Sequence, residues 1–305
     1  MGKTDNIDSY KMLPSVYNGE DLFIGNTKTY LKNPPYRIES YQMDRGEKKT
    51  YGRFSLFCYG EPIEPPKLIN ELYAVHNIER KGRGGIKKLR IDNRLLACRK
   101  YIHGGLFRTI TRDIFFTKTR GINEIEILLY LKDKGFHVVT PYCLLTKNKL
   151  LSKRLYLFTL YEEHTTEFLE YLKISTARDH MRMIRKFAHL LWNLETLGIY
   201  HPDLHLNNVL INNEKDIIFL DFDNAYRKSI TKKDMEKMFW RLNRFIDKME
   251  RRGDLKVGTR EKILFLRTYK RLSGYDMAQA MAKKVKTKRY LSEIGWVVER
   301  ALYGE

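Results

Sequence analysis

Two short stretches of this chain hold the residue types that phosphoryl transfer requires. His201-Pro-Asp-Leu-His-Leu-Asn-Asn208 places a carboxylate at Asp203 and an amide at Asn208, and Asp221-Phe-Asp223 follows after two apolar runs. Moving a phosphoryl group from a nucleotide takes one group that orients the acceptor hydroxyl and oxygen ligands for magnesium. Asp203 is the candidate for the first role, and Asn208 with Asp221 for the second. His201 fits a brace for the loop better than a proton carrier, and His205 has no assigned role.

The flanking sequence explains how these groups come to face one another. Met181, Ile184, Phe187, Ala188, Leu191 and Leu194 recur at helical spacing and Gly198 follows, so an amphipathic helix delivers the chain to the loop. Val209-Leu-Ile211 and Ile217-Ile-Phe-Leu220 are separated by the turn residues Asn212 to Asp216 and predict a hairpin. The loop and Asp221 then lie at opposite ends of one hairpin, close in space.

The spacing matches the kinase pattern H-x-D-L-x-x-x-N followed by D-F-x. It predicts an α+β, two-lobed, protein-kinase-like fold with a small mixed β-sheet lobe ahead of a mainly helical one. Residues 1–75, rich in proline and tyrosine, are expected as an extension or cap with a strand-like run from Tyr51 to Tyr59. Residues 76–163 would form the first lobe and 164–305 the second.

In the first lobe, Gly82 and Gly84 precede two strand-like segments, Lys87 to Asp92 and Arg94 to Tyr101. There they would let the backbone close over nucleotide phosphates. Ala97-Cys-Arg99 fits the Ala-x-Lys of a kinase third strand, with Arg99 in place of lysine; Lys100 competes but points to the opposite face. Glu124, on a helix from about Gly121 to Lys134, would pair with that cation, with Glu126 as the next choice. Glu162-Glu-His-Thr165 would join the lobes. In the second lobe, Asp234 to Arg251, Arg260 to Arg271 and Ser292 to Leu302 show helical spacing with basic outer faces. Asp223 stands where D-F-G has glycine. That substitution argues against the loop flipping of regulated protein kinases and for a small acceptor.

Composition narrows the partners. The net charge is +20, concentrated on both sides of the proposed site, and would draw in phosphorylated or carboxylated molecules, an anionic membrane surface or nucleic acid. No apolar run is long enough to span a bilayer, and the start of the chain lacks the apolar core of a secretion signal. Cys58, Cys98 and Cys143 are far apart and form no C-x-x-C pair, which suggests neither zinc nor a disulfide framework. A reducing cytoplasm is the simplest setting.

Beyond the loop, Arg99-Lys-Tyr-Ile-His-Gly-Gly-Leu106, Arg112-Asp113, Thr119-Arg120, Glu124, Gly135 to Pro141 and Arg241-Leu-Asn-Arg-Phe245 resemble segments of the Kdo kinases, a family of lipopolysaccharide-core kinases. The resemblance covers roughly residues 80 to 250. His103 stands where that family usually has arginine, and the first 75 residues are longer than its lead-in. The resemblance implies ATP and Mg2+ as cofactors and 3-deoxy-D-manno-octulosonic acid (Kdo) on lipid A as acceptor. It implies Asp203 as catalytic residue, Asn208 and Asp221 as magnesium ligands, and Arg99 with Glu124 at the nucleotide phosphates. An anionic glycolipid partner further implies peripheral contact with the cytoplasmic face of the inner membrane.

Two rivals remain at this level. Aminoglycoside or choline phosphotransferases carry a similar catalytic hairpin, and the Arg99 to Arg120 segment is what favours the sugar kinase. A non-catalytic pseudokinase or nucleic-acid-binding module would need a docking motif or a stacking platform; neither is present in the sequence, so no nucleic acid is expected.

Overall fold

The computed structural model describes residues 47–75, 85–103, 113–255 and 257–282. All of them belong to one compact unit, Tyr41–Glu305. Gly82, Gly84, the Gly104-Gly105 and Arg112 part of the segment after Arg99, and the Ser292 to Leu302 helix lie outside the described residues.

Six strands, β1 (Glu47–Tyr51), β2 (Phe54–Cys58), β3 (Ile86–Ile91), β4 (Arg94–Lys100), β5 (Pro141–Asn148) and β6 (Lys153–Leu160), form a sheet in the order β1-β2-β5-β6-β4-β3. Every pairing is antiparallel, whereas the sequence suggested a mixed sheet. The reason lies in the connections: β1–β2, β3–β4 and β5–β6 are each local hairpins, and the three hairpins dock edge to edge. The run Tyr51 to Tyr59, expected as one strand, begins in a turn; Gly52 adopts φ 55 there and reverses the chain.

Side chains alternate across this sheet as the pleat requires. Leu145, Tyr156 and Phe158 face a core completed by Leu68 and Leu72 of helix α1 (Pro65–Ala74). Leu144, Leu155 and Leu157 face Ile125 and Leu128 of α2 (Thr119–Asp133), in a core that continues into the helical lobe. Residues 47–75 thus contribute two strands and a helix to this lobe. The fold is α+β and kinase-like, with a β-sheet lobe followed by a mainly helical one.

The helical lobe contains α3 (Phe168–Ile174), α4 (Ala177–Thr196), α5 (Lys232–Arg252) and α6 (Thr259–Ser273). In α4, Thr176 accepts a hydrogen bond from the Asp179 amide at 3.2 Å as N-cap, and Met183, Ile184, Phe187, Leu191 and Leu194 form its buried face. Helix α5 opens on a capping box between Thr231 and Asp234 and stops at Gly253, which is left-handed at φ 76.

Between α4 and α5 the chain forms two short antiparallel pairings that bracket the proposed loop. β8 (Ile199–Tyr200) pairs with β11 (Tyr226–Arg227), and β9 (Val209–Ile211) pairs with β10 (Ile217–Phe219); β7 (Thr166–Glu167) adds to the edge of β9. Residues 201–208 and 220–225 are therefore the two sides of one interrupted ladder, pinned at both ends. Gly198 makes the turn into it at φ 70, where an added Cβ would meet the Lys228 carbonyl oxygen at 2.8 Å. Gly198→Ala should lower unfolding free energy by roughly 2 to 3 kcal/mol, because the new side chain meets both a left-handed backbone and a fixed backbone atom. Urea unfolding with an unchanged midpoint would contradict this.

Candidate active site

The strand β4 alternates Ala97 and Arg99 toward the space between the lobes and buries Cys98 on the other face. Arg99 is partly buried and acts as a fork. Its Nη2 donates to Glu124 Oε1 at 2.6 Å, and its Nη1 donates to Asp221 Oδ1 at 2.8 Å, with Asp223 Oδ2 at 3.8 Å. One side chain from the sheet thus joins α2 to the end of the catalytic hairpin. The Tyr101 hydroxyl donates to Glu124 Oε2 at 2.5 Å, so both carboxylate oxygens are occupied. Lys100, the competing cation, is paired instead with Asp113, which also forms an ion pair with Arg154 at 2.9 Å. Glu126, the alternative acid, sits on a different face of α2 from the buried Glu124.

Electrostatics follow from burial and from this fork. Burial pushes the Glu124 carboxyl up and the Arg99 guanidinium opposes it, so the ion pair and the three hydrogen bonds keep it in place. Burial alone would also raise Asp221; Arg99 and His201 outweigh it and hold that carboxyl below its usual range. Asp221 adopts φ 60, a left-handed conformation uncommon for a residue with a side chain, and such strain concentrates at functional positions.

Asp203, Asn208 and Asp221 all line one cleft of about 940 Å³, together with Arg99, Glu124 and Ala97 from the sheet lobe and Glu162 and Thr165 from the connection between lobes. The Leu220 amide donates to the Asn208 carbonyl at 2.8 Å, which carries the hairpin ladder into the loop. The Asn208 side-chain nitrogen lies 3.3 Å from His205 Nε2, which leaves the amide oxygen as its donor to a cation. An amide oxygen and a carboxylate suit magnesium, which takes one or two protein oxygens and fills its shell with water and substrate phosphate. Among the described residues no group of three His, Cys, Asp or Glu side chains could hold a metal without such help.

Two contacts here were not legible in the sequence. Arg120, at the start of α2, makes a bidentate pair with Asp223, and its guanidinium lies over Tyr101 and Phe115. Arg241, in the middle of α5, pairs with Asp203, its Nε donating to Oδ1 at 3.0 Å. Both arginines fell in segments noted for their family resemblance, but nothing in local spacing names their partners. Of the glycines proposed for the phosphates, Gly82 and Gly84 lie outside the described residues, and the neighbouring Gly85 lines the cleft at φ 63.

The comparisons decide the family. The lipopolysaccharide kinase (Kdo/WaaP) family matches residues 74–269. The chain belongs to that family. Its members are phosphotransferases, and the relatives found by sequence carry the description 3-deoxy-D-manno-octulosonic acid kinase. One from Vibrio cholerae serotype O1 is 28% identical over 156 residues, which span 48% of this chain and 63% of the relative. One from Vibrio vulnificus is 27% identical over 202 residues, 59% of this chain and 80% of the relative. A third, from Photobacterium damsela, is 26% identical over 190 residues, 57% of this chain and 74% of the relative.

His201 gives the site a pH signature. It is buried against Phe222, with ring centroids 5.0 Å apart, and burial pushes its pKa down to about 4 from an ordinary 6.5 despite Asp221 and Asp203 nearby. The unfolded chain therefore takes up a proton below about 6.5 that the native chain refuses until about 4, so stability falls as pH drops through that window. At ~1.4 kcal/mol per pH unit once the unfolded histidine is charged, wild type should lose about 1.5 kcal/mol more than His201→Gln between pH 6.5 and pH 5. Parallel pH dependences of urea unfolding for the two proteins would refute a neutral His201.

Proposed function

We propose that this protein is an ATP-dependent kinase that phosphorylates a hydroxyl of Kdo in the lipopolysaccharide inner core, acting on Kdo-lipid A at the cytoplasmic face of the inner membrane. The observation that carries the reading is the convergence of Asp203, Asn208, Asp221 and Arg99 on one cleft in a chain of the Kdo/WaaP family. The sheet lobe, residues 76–163 with the strands that precede it, binds the nucleotide, and residues 164–305 carry the catalytic loop.

Each side chain then has a task. Asp203 orients the acceptor hydroxyl and receives its proton as the bond to phosphorus forms. Arg99, held by Glu124, faces the nucleotide phosphates and neutralises part of their charge. Asn208 and Asp221 hold magnesium, which supplies charge neutralisation on the phosphates when bound. Little covalent chemistry falls to the protein; the rate gain comes from positioning and charge. Arg241 adds a cation beside Asp203, where an acidic sugar carrying a carboxylate would approach.

Among the described residues no helix is long and apolar enough to cross a membrane. A lipid-linked acceptor therefore has to be met by these residues from the bilayer surface. An aminoglycoside or choline acceptor remains the competing class because the catalytic hairpin alone serves both.

Radiolabelled ATP, magnesium and Kdo-lipid A, with an aminoglycoside and choline in parallel, test the proposal. Label should enter the Kdo sugar, and Asp203→Ala should lower kcat by about 10² to 10⁴-fold without shifting the unfolding midpoint. Full activity of that variant would refute its role; label only in the aminoglycoside or choline would replace the acceptor.

A further inference from the structure

The end of the sheet lobe farthest from the connection between lobes has an unusual composition. The β5–β6 turn is Lys149-Leu150-Leu151-Ser152, closed by the Lys149 amide donating to the Ser152 carbonyl at 2.7 Å. Its two central positions normally favour Gly, Asn, Asp or Pro, whose backbones suit a turn. Here they are leucines, 99% and 80% exposed. Phe115 exchanges backbone hydrogen bonds with Lys153, at 2.8 and 2.6 Å, and so brings Phe116, 76% exposed, beside the same turn. The β1–β2 turn joins the patch, as the Asn148 amide donates to the Arg53 carbonyl at 2.7 Å and Tyr51 is 54% exposed.

Lysines accompany these apolar groups in the hairpin and on the strands behind it. Lys147, Lys149 and Lys153 belong to the hairpin itself. Lys118 lies 3.9 Å and Lys48 6.0 Å from the centre of the same Phe57 ring. Burial, then Lys48 and Lys153, push the Lys118 ammonium down, which places the three like charges close together. None of Lys48, Lys118, Lys149 and Lys153 is paired with a carboxylate among the described residues. Exposed leucines at a turn bury nothing, and gathered lysines repel one another, which the shared Phe57 ring offsets only in part. An anionic phospholipid surface satisfies both, with an apolar layer beneath its phosphates.

We propose that this tip is a membrane-docking device, in which Leu150, Leu151 and Phe116 enter the headgroup layer of an anionic bilayer and the lysines contact lipid phosphates. It deepens the reading of a lipid-linked acceptor and rests on it for its purpose. Along β6, Lys153 lies roughly 13 Å from Leu157, the strand partner of Arg99, so docking here holds the cleft near the bilayer surface.

Co-sedimentation of the full chain with vesicles tests the device in the absence of ATP and acceptor. Phosphatidylcholine vesicles are compared with equal mixtures of phosphatidylcholine and phosphatidylglycerol, at low and high salt. Wild type should bind the anionic vesicles, and Leu150→Ser/Leu151→Ser and Lys149→Glu/Lys153→Glu should each weaken binding by about tenfold or more. Phosphorylation of a water-soluble Kdo oligosaccharide should stay at the wild-type level in both variants. Wild-type-like vesicle binding by the leucine variant would overturn the proposal. So would wild-type indifference to lipid charge, or binding to an acidic protein but not to vesicles. Because binding is read without turnover, a failure of the kinase reading leaves this result interpretable, and the converse also holds.

Discussion

A guanidinium at the wall of the cleft holds three segments of this chain at once. Arg99 on β4 binds Glu124 on α2 and Asp221 at the end of the catalytic hairpin, and neither acid has a comparable second cation. Removing Arg99 leaves the buried Glu124 carboxylate without its cation, which costs stability; the partly exposed Asp221 loses less because water screens it. The register of β4 against β6, the rotation of α2 and the left-handed turn at Asp221 are all consistent with this one geometry. Arginine suits it because a planar fork can serve two carboxylates in fixed directions, which a lysine ammonium cannot.

A second ion pair runs alongside the first. Arg120 clasps Asp223, so α2 holds the hairpin end directly through Arg120 and indirectly through Glu124 and Arg99. Where protein kinases place a permissive glycine, this chain has a carboxylate tied down by a bidentate partner. Both carboxylates of the segment are held by arginines, in keeping with the expectation that it does not flip as the D-F-G loop of regulated protein kinases does.

What could be read from the sequence follows the range of the interactions. The hairpin from Val209 to Phe219 and the helix through Phe187 and Leu191 depend on short spacings, and both stand as expected. Glu124 was legible because a helical stripe of Ile127, Leu128 and Leu131 fixed its face. The partners of Arg120 and Arg241 lie far along the chain and depend on how α2 and α5 dock, which no local pattern encodes. The same holds for β1 and β2: their residues are short and turn-flanked, and they become recognisable as strands only through β5. The sheet looked mixed for a related reason, since strand direction is set by pairing, not by propensity.

In the proposed reaction Arg99 and Glu124 act as one unit that positions the nucleotide phosphates. Calorimetric binding of ATP with magnesium to wild type, Arg99→Met, Glu124→Gln and the double variant tests it most directly, provided unfolding curves show all four folded. Each single change should weaken binding and the double should be little worse than either, a coupling of at least about 1 kcal/mol. Additive losses, or single variants that bind ATP as wild type does, would contradict it.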